Sequence, residues 1–311
     1  MSCRADLFHQ LANYLIPAFM GIRPVLESSR NYVMNFLFIA WSKISPIKHL
    51  LHHFLFFSLA LATSLALFAQ EEEQSALHKF TVGSYFSRGD YGADENTDIY
   101  YFPLSYELTT FPWVVSVTVP YLGLKGPADV FPETGNIGRN RGGVSEFIDE
   151  KGLGDVFLSA SYQFPPMLNG WLFMDLTLQT KLPTADETRN LGTGETDYGY
   201  QLDFYTTLNR NTYFSSIGYR KRGRTPLYDL EDSYYSSLGL MRQYGDNTFL
   251  GLVYDYREKA SSNAFESHEV MPFVSYNMTP QWNIMLYTIL GFTNSSADKT
   301  IGFQFSYTLP Q

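Results

Sequence analysis

Apolar and polar residues alternate along most of the chain after residue 76. In residues 171–182, one set of alternate positions is apolar, and it contains Leu172, Met174, Leu176, Leu178 and Leu182. The other set contains Phe173, Asp175, Thr177, Gln179 and Lys181. Because successive side chains of a β-strand point to opposite faces, this pattern predicts strands with one dry and one wet face. Twelve such segments occur, at residues 77–87, 97–109, 113–122, 153–164, 171–182, 196–208, 212–223, 233–244, 247–258, 267–278, 281–292 and 299–309.

The connections between these segments form two alternating classes. The short ones cover residues 110–112, 165–170, 209–211, 245–246 and 279–280. The long, polar ones include residues 123–152, 183–195, 224–232, 259–266 and 293–298. Transmembrane β-barrels have short periplasmic turns and longer extracellular loops. Since the number of strands is even, both termini are expected in the periplasm.

The apolar face of each strand has two possible environments. A soluble sandwich buries it against a second sheet, whereas a membrane barrel turns it towards lipid. Strands of about ten residues favour the membrane, as do Trp113, Trp171, Tyr213 and Trp282 near strand ends, where aromatic girdles lie. The predicted fold is an all-β, antiparallel transmembrane β-barrel of about twelve strands, formed by residues 70–311.

The first 69 residues differ from the rest of the chain. Basic Lys43 and Lys48 precede an apolar run over residues 50–68, and acidic residues follow it. This order predicts a signal peptide over residues 34–69, cleaved before Gln70 or at an earlier site before Leu67. An uncleaved membrane anchor is the alternative, because the run approaches the length of a span. Residues 1–33 are interpreted as an upstream segment outside the mature protein.

Composition excludes several classes of function. Residues 1–69 hold five of the 22 basic and two of the 31 acidic residues, so the remainder carries a net charge of −12. Basic residues this few and scattered exclude a nucleic-acid partner. Cys3 is the single cysteine, so the predicted barrel has neither a disulfide nor a thiolate metal site. No metal or cofactor is expected.

The polar face of the strands carries the candidate functional residues, which are expected to line the lumen. They are Tyr101, Glu107, Asp155, Phe157, Phe173, Asp175, Lys181, Asp203, Tyr205, Arg220, Arg222, Asp255, Arg257, Glu269, Phe273 and Tyr287, with Met241, Phe249, Met271 and Met285 among further apolar side chains. The charged members form either a network that stiffens a narrow barrel or a ring that selects solutes. The apolar members either pack the interior or offer a path to a hydrophobic ligand.

Catalysis is not expected. Nucleophilic catalysis of the kind found in some membrane barrels needs a nucleophile, a histidine and an orienting polar group together. After residue 69 only His78 and His268 remain, and neither lies in a recognisable catalytic spacing.

Three short motifs occur in a fixed order: GLGD at residues 152–155, TKLPT at 180–184 and GTGETDYG at 192–199. This set resembles the outer-membrane barrels of the meta-pathway of phenol degradation family, often called transporters, and the similarity is clear over residues 150–225. The chain departs from the aromatic final residue usual in outer-membrane barrels, because it ends with Leu309, Pro310 and Gln311. The resemblance implies an exported barrel and uptake of aromatic or apolar compounds.

The expected function is therefore an outer-membrane channel for passive uptake of small hydrophobic or aromatic molecules. The alternative is a structural or surface barrel with a plugged lumen and no transport. The expected partners are outer-membrane lipid, lipopolysaccharide, the barrel assembly machinery and a small apolar or aromatic solute. Positive charge in residues 219–224 offers a contact for lipopolysaccharide phosphates.

Overall fold

The computed structural model describes residues 76–310, apart from 92, 94, 129, 132–134, 137–145, 227 and 263. The strands of this part of the chain are β1 (Leu77–Gly89), β2 (Thr97–Thr110), β3 (Trp113–Pro127), β4 (Val130–Phe131), β5 (Gly135–Asn136), β6 (Phe147–Leu153), β7 (Val156–Gln163), β8 (Phe173–Leu182), β9 (Asp197–Leu208), β10 (Asn211–Lys221), β11 (Ser233–Tyr244), β12 (Thr248–Arg257), β13 (Ser267–Asn277), β14 (Trp282–Gly291) and β15 (Lys299–Thr308). Two three-residue 3₁₀ turns cover Leu168–Gly170 and Glu187–Arg189. Among the described residues, no helix is long and apolar enough to cross a membrane.

The strands form one closed antiparallel barrel. Consecutive strands pair from β7 to β15, β15 pairs with β1, and β1 to β3 continue the order until β3 meets β7. Strands β6 and β7 both pair with β3 and share one position in the wall, so the barrel has twelve positions. Strands β4 and β5 pair only with each other. The prediction of a twelve-stranded antiparallel barrel is confirmed.

Most barrel strands have an exposed apolar outer face and a buried inner face. On the outer face, Leu238, Leu286 and Ile301 expose 62%, 51% and 67% of their surfaces. Their inward neighbours Ser237, Tyr287 and Thr300 are buried. An apolar band of this extent around a closed sheet is typical of a barrel that faces lipid.

The two ends of the barrel differ as the connections predict. The end with the short connections is called the turn end, and the end with the long connections is called the loop end. Strand β1 starts and β15 finishes at the turn end, where Lys79 pairs with Thr308. Trp113, Trp171 and Tyr213 are exposed at this end and Trp282 is half-exposed.

Three sequence-based boundaries are wrong. Strand β3 continues to Pro127 and strand β6 begins at Phe147, so residues 123–127 and 147–152 of the predicted loop are strand. The predicted strand 153–164 is interrupted between β6 and β7. There, two residues of β3, 119 and 120, oppose the three residues 154–156, which defines a β-bulge. The predicted signal peptide and its cleavage sites lie outside the described residues.

Candidate functional site

Fourteen of the sixteen predicted site residues lie on the inward face of barrel strands, and Asp155 and Arg222 lie just outside strands β7 and β10. Twelve of them are buried: Tyr101, Glu107, Asp155, Phe157, Asp175, Lys181, Asp203, Arg220, Arg222, Glu269, Phe273 and Tyr287. The other four are half-buried: Phe173, Tyr205, Asp255 and Arg257. The alternation of strand side chains places the fourteen strand residues on one face, and closure of the sheet makes that face the inside of the barrel. They form three groups, at the loop end, in the middle and towards the turn end.

A buried ionic cluster at the loop end joins the three sequence motifs. Nζ of Lys181 lies 3.1 Å from Oδ2 of Asp155 and 3.3 Å from Oδ2 of Asp197. It also donates a hydrogen bond to Oγ1 of Thr193 at 3.0 Å. Asp155 belongs to GLGD, Lys181 to TKLPT, and Thr193 and Asp197 to GTGETDYG. The motifs therefore share a structural basis, which is the assembly of this cluster where three neighbouring strands end.

Backbone groups complete the cluster. The second carboxylate oxygen of Asp155 accepts from the N–H of Ala185 at 2.9 Å, and that of Asp197 accepts from the N–H of Gly223 at 2.9 Å. The bulge before β7 brings Asp155 to this position, and Gly154 donates its N–H to the Pro120 carbonyl at 2.9 Å. The cluster thus holds the connection after β8 and the end of β10 against the barrel mouth.

Position 192 requires a glycine because its backbone lies very close to the side chains of Asp155 and Ala185. A β-carbon at this position would lie 2.8 Å from Oδ2 of Asp155 and 2.8 Å from Cβ of Ala185. Both distances are shorter than van der Waals contact, so the loop reaches the cluster only without a side chain here.

The basic segment 219–224 is largely engaged within the protein. Arg222 is buried and donates to the Glu231 carbonyl at 2.7 Å and to Oγ of Ser233 at 2.8 Å. Arg224 and Lys221 are exposed, and Arg224 lies 3.3 Å from Asp232. Arg220 is also buried, so Lys221 and Arg224 are the members of this segment that offer exposed charge.

Asp232, in the connection after β10, organises this part of the loop end. It accepts hydrogen bonds from the N–H of Arg222 and the hydroxyl of Tyr219, both at 3.0 Å. Burial acts to raise the pKa of Asp232, but these hydrogen bonds and the charges of Arg224 and Arg222 outweigh it, so the pKa lies below its usual value.

Two carboxylates face each other in the middle group. Asp175 of β8 pairs directly with Asp203 of β9, and both are buried. Gln201 donates its side-chain N–H to Oδ1 of Asp203 at 2.7 Å. Like charges at directly opposed positions destabilise a sheet, so ionisation of both side chains at once is unfavourable here.

Inward aromatic rings lie against the barrel wall over glycines of neighbouring strands. A β-carbon at Gly251 would collide with the ring of Phe273, and one at Gly302 would collide with the ring of Tyr287. The same relationship joins two further pairs, Gly239 with Phe214 and Gly218 with Tyr235. These four contacts all occur in strands β10–β15. Each ring covers the backbone of a neighbouring strand at its glycine.

A stacked aromatic pair marks the turn end. The rings of Phe173 and Tyr205 have centroids 5.1 Å apart and an interplanar angle of 10°. They are paired residues of β8 and β9, and Phe173 is the first residue of its strand. Because both rings are only half-buried, they remain accessible from this end.

Several inward residues are absent from the set of site residues predicted from the sequence. Lys79 is buried opposite Glu107, and Tyr85 stacks on Tyr101 with centroids 4.9 Å apart. Alternation in β1 is the signal that places Lys79 and Tyr85 inside, since Phe80 and Val82 occupy the exposed face. Leu122 is also buried and inward, but β3 is apolar on both faces, so its pattern gives no such signal.

The two histidines of the described chain contact tyrosines. Nδ1 of His78 lies 2.8 Å from the hydroxyl of Tyr106, and Nδ1 of His268 lies 2.7 Å from the hydroxyl of Tyr254. Both contacts are between side chains of the outward face, away from the inward polar groups. Neither pair supplies the nucleophile and orienting carboxylate of a catalytic triad.

Comparison with solved structures relates this fold to outer-membrane barrels. An outer membrane channel from Pseudomonas putida F1 superposes with a TM-score of 0.54 at 11% identity, over 75% of this chain and 95% of that protein. The KdgM porin gives a TM-score of 0.47 at 9% identity, over 75% and 99%. The CymD monoaromatic hydrocarbon channel gives 0.41 at 9% identity, over 76% and 89%. No family model and no curated protein matches the sequence. The chain thus has the fold of an outer-membrane β-barrel.

Proposed function

We propose that this chain is an outer-membrane channel through which small apolar or aromatic molecules diffuse passively. The observation that carries this proposal is the set of inward rings that lie over glycines, represented by Phe273 over Gly251 and Tyr287 over Gly302. A water-filled pore for small polar solutes does not require aromatic rings on its wall, whereas a hydrophobic solute binds to such surfaces. The resemblance of the three motifs to a family of outer-membrane transporters supports the same solute class.

The proposed location is supported by the two faces and the two ends of the barrel. The exposed apolar belt favours insertion into a bilayer, and the short connections favour a periplasmic position for the turn end. Both termini then lie in the periplasm. Lys221 and Arg224 face the outside, where lipopolysaccharide phosphates offer partners for their charge. Insertion through the barrel assembly machinery belongs to the same proposal.

A closed structural barrel is the competing function, and the loop-end cluster is the observation that favours it. Lys181, Asp155 and Asp197 form ion pairs that are more than nine-tenths buried, and the two carboxylates hold the backbone of Ala185 and Gly223 at the loop end. A cluster that fixes these segments at the mouth suits a barrel whose loop end stays closed.

Flux into proteoliposomes separates the two functions. Phenylalanine and alanine carry the same charged groups and differ by one aromatic ring, and protein-free vesicles supply the leak rate of each. A channel of the proposed kind admits phenylalanine well above leak, at a rate that alanine does not exceed despite its smaller size. Entry of neither solute above leak would support the closed barrel. Entry of alanine alone would indicate a polar pore and contradict the proposed solute class.

A further inference from the structure

Strand register places the inward apolar residues in one continuous row. Met241 pairs with Gly251, Gly251 with Phe273, and Phe273 with Tyr287. Tyr287 pairs with Gly302, Gly302 with Tyr85, Tyr85 with Tyr101, and Tyr101 with Leu122. The row therefore crosses eight neighbouring strands without a charged or strongly polar side chain. Its two glycines are covered by the rings of Phe273 and Tyr287, so the apolar surface is unbroken.

The row also descends through the barrel. Leu122 is nine residues from Trp113, the turn-end residue of its strand. Tyr287 is five residues from Trp282, and Met241 is three residues from Tyr244, the turn-end residues of their strands. Because barrel strands tilt against the axis, a row of paired residues follows a helical course around the wall. The course runs here from near the loop-end mouth to near the turn-end mouth.

A second apolar row lies beside the lower part of the first. Phe173 pairs with Tyr205, Tyr205 with Phe214, and Phe214 with Gly239. The row continues through Val253 to Met271, which lies two residues from Phe273 on the same face of β13. It begins at the turn end with the half-buried stacked pair of Phe173 and Tyr205. The two rows meet in β13 and double the width of the apolar surface there.

We infer that these rows form a helical apolar ramp, with Leu122, Tyr101, Tyr85, Tyr287, Phe273 and Met241 as its main course. Its ligand is a solute with a flat aromatic ring, which moves from one ring face to the next along the wall. Because all six side chains are buried in this structure, the solute reaches each face only as neighbouring side chains move aside. Stacked and edge contacts between aromatic rings are favourable beyond the burial of area, which gives the ramp a preference for aromatic over aliphatic solutes. The inference deepens the proposed function and rests on it.

If the ramp carries the solute, the effect of removing an inward ring on flux depends on whether that ring lies in a row. Simple apolar packing of the interior predicts no such dependence. Phe157 provides the matched control, because it is a buried inward phenylalanine that pairs with Lys181 outside both rows. The variants Phe273→Ser and Tyr101→Ser remove a ring from the ramp, and Phe157→Ser removes one elsewhere. Phe273→Leu removes the ring but retains an apolar side chain. It replaces Phe273→Ser in the comparison if the serine variants assemble poorly. The heat-dependent gel shift of an assembled barrel selects the variants to be compared.

The measured quantity is the ratio of phenylalanine to alanine flux into proteoliposomes. We expect Phe273→Ser and Tyr101→Ser to lower this ratio about two- to tenfold each, the range expected for the loss of one aromatic contact. Phe273→Leu lowers it less, and Phe157→Ser changes it much less than Phe273→Ser or Tyr101→Ser does. Equal changes of this ratio in all variants, or no change in any variant, would overturn the ramp but would not contradict the proposed channel function. If the wild-type barrel passes neither solute, the proposed function fails and the ramp fails with it.

Discussion

Lys181 and Asp155 form an ion pair, 3.1 Å from Nζ to Oδ2, that connects the loop ends of two neighbouring barrel strands. Asp197 of the next strand approaches the same ammonium group at 3.3 Å. All three side chains are more than nine-tenths buried, so each charge depends on the others for the interactions that water would otherwise supply. The cluster explains why three separate sequence motifs occur together.

Replacing Lys181 with Met should destabilise the barrel strongly. The change leaves two buried carboxylates close together without their cation, and loss of one partner of a buried ion pair costs about 3–5 kcal/mol of unfolding free energy. Lys125→Met is the control, because Lys125 and Asp149 form an exposed pair at 3.8 Å. Such a pair contributes about 0–1 kcal/mol. Urea titration of the refolded barrels measures both, and similar losses in the two variants would contradict a structural role for the cluster.

The outward face should respond to charge according to membrane depth. Leu286 lies in the middle of β14, whereas Leu290 is the last residue but one on the same strand and the same face. Leu286→Arg should cost about 2–4 kcal/mol of unfolding free energy in a bilayer, and Leu290→Arg only about 0–1 kcal/mol. Equal, small costs for both substitutions would show that this face is exposed to water.

The contact between Tyr287 and Gly302 predicts a steric effect on the inward face. Gly302→Ala forces the ring off the wall, and overpacking of this kind costs about 1–3 kcal/mol. Gly199→Ala is the matched control, because a β-carbon there meets Cβ of Gln179 at an ordinary 3.4 Å. The Gly302→Ala cost should shrink when Tyr287→Ser has already removed the ring. An undiminished cost in that double variant would show that the glycine is needed for another reason.

The N-terminus gives a further prediction that concerns residues 1–69. We expect the mature protein to begin at Gln70, or at Leu67 if the earlier site is used. Intact-mass measurement of the protein purified from membranes tests this. Retention of residues 34–69 would favour an anchored protein instead.

The sequence predicts the barrel well because lipid and lumen impose opposite demands on alternate residues. In β8, Leu176 and Leu178 alternate with Asp175 and Lys181, and that contrast identifies both faces. Strand β3 lacks the contrast, since Val114 and Leu122 are inward while Val115 and Val119 are outward. Its inward residues therefore become known only from pairing with β2.

The sequence does not reveal which residues of neighbouring strands are paired. Asp155 reaches Lys181 through a bulge that shifts the register of its strand by one residue. The row from Leu122 to Met241 likewise depends on the register of seven strand pairs, and an error of one residue in any of them would break it. Alternation identifies candidates, but only the pairing determines which of them are neighbours.

The most direct test of the account is phenylalanine and alanine flux through a barrel that carries both Phe173→Asp and Phe273→Asp. The two changes place charge on the apolar rows at the turn end and in the middle of the wall. The account predicts a correctly assembled barrel in which phenylalanine flux falls much more than alanine flux. An assembled double variant with unchanged phenylalanine flux would contradict the claim that the inward aromatic residues carry the solute.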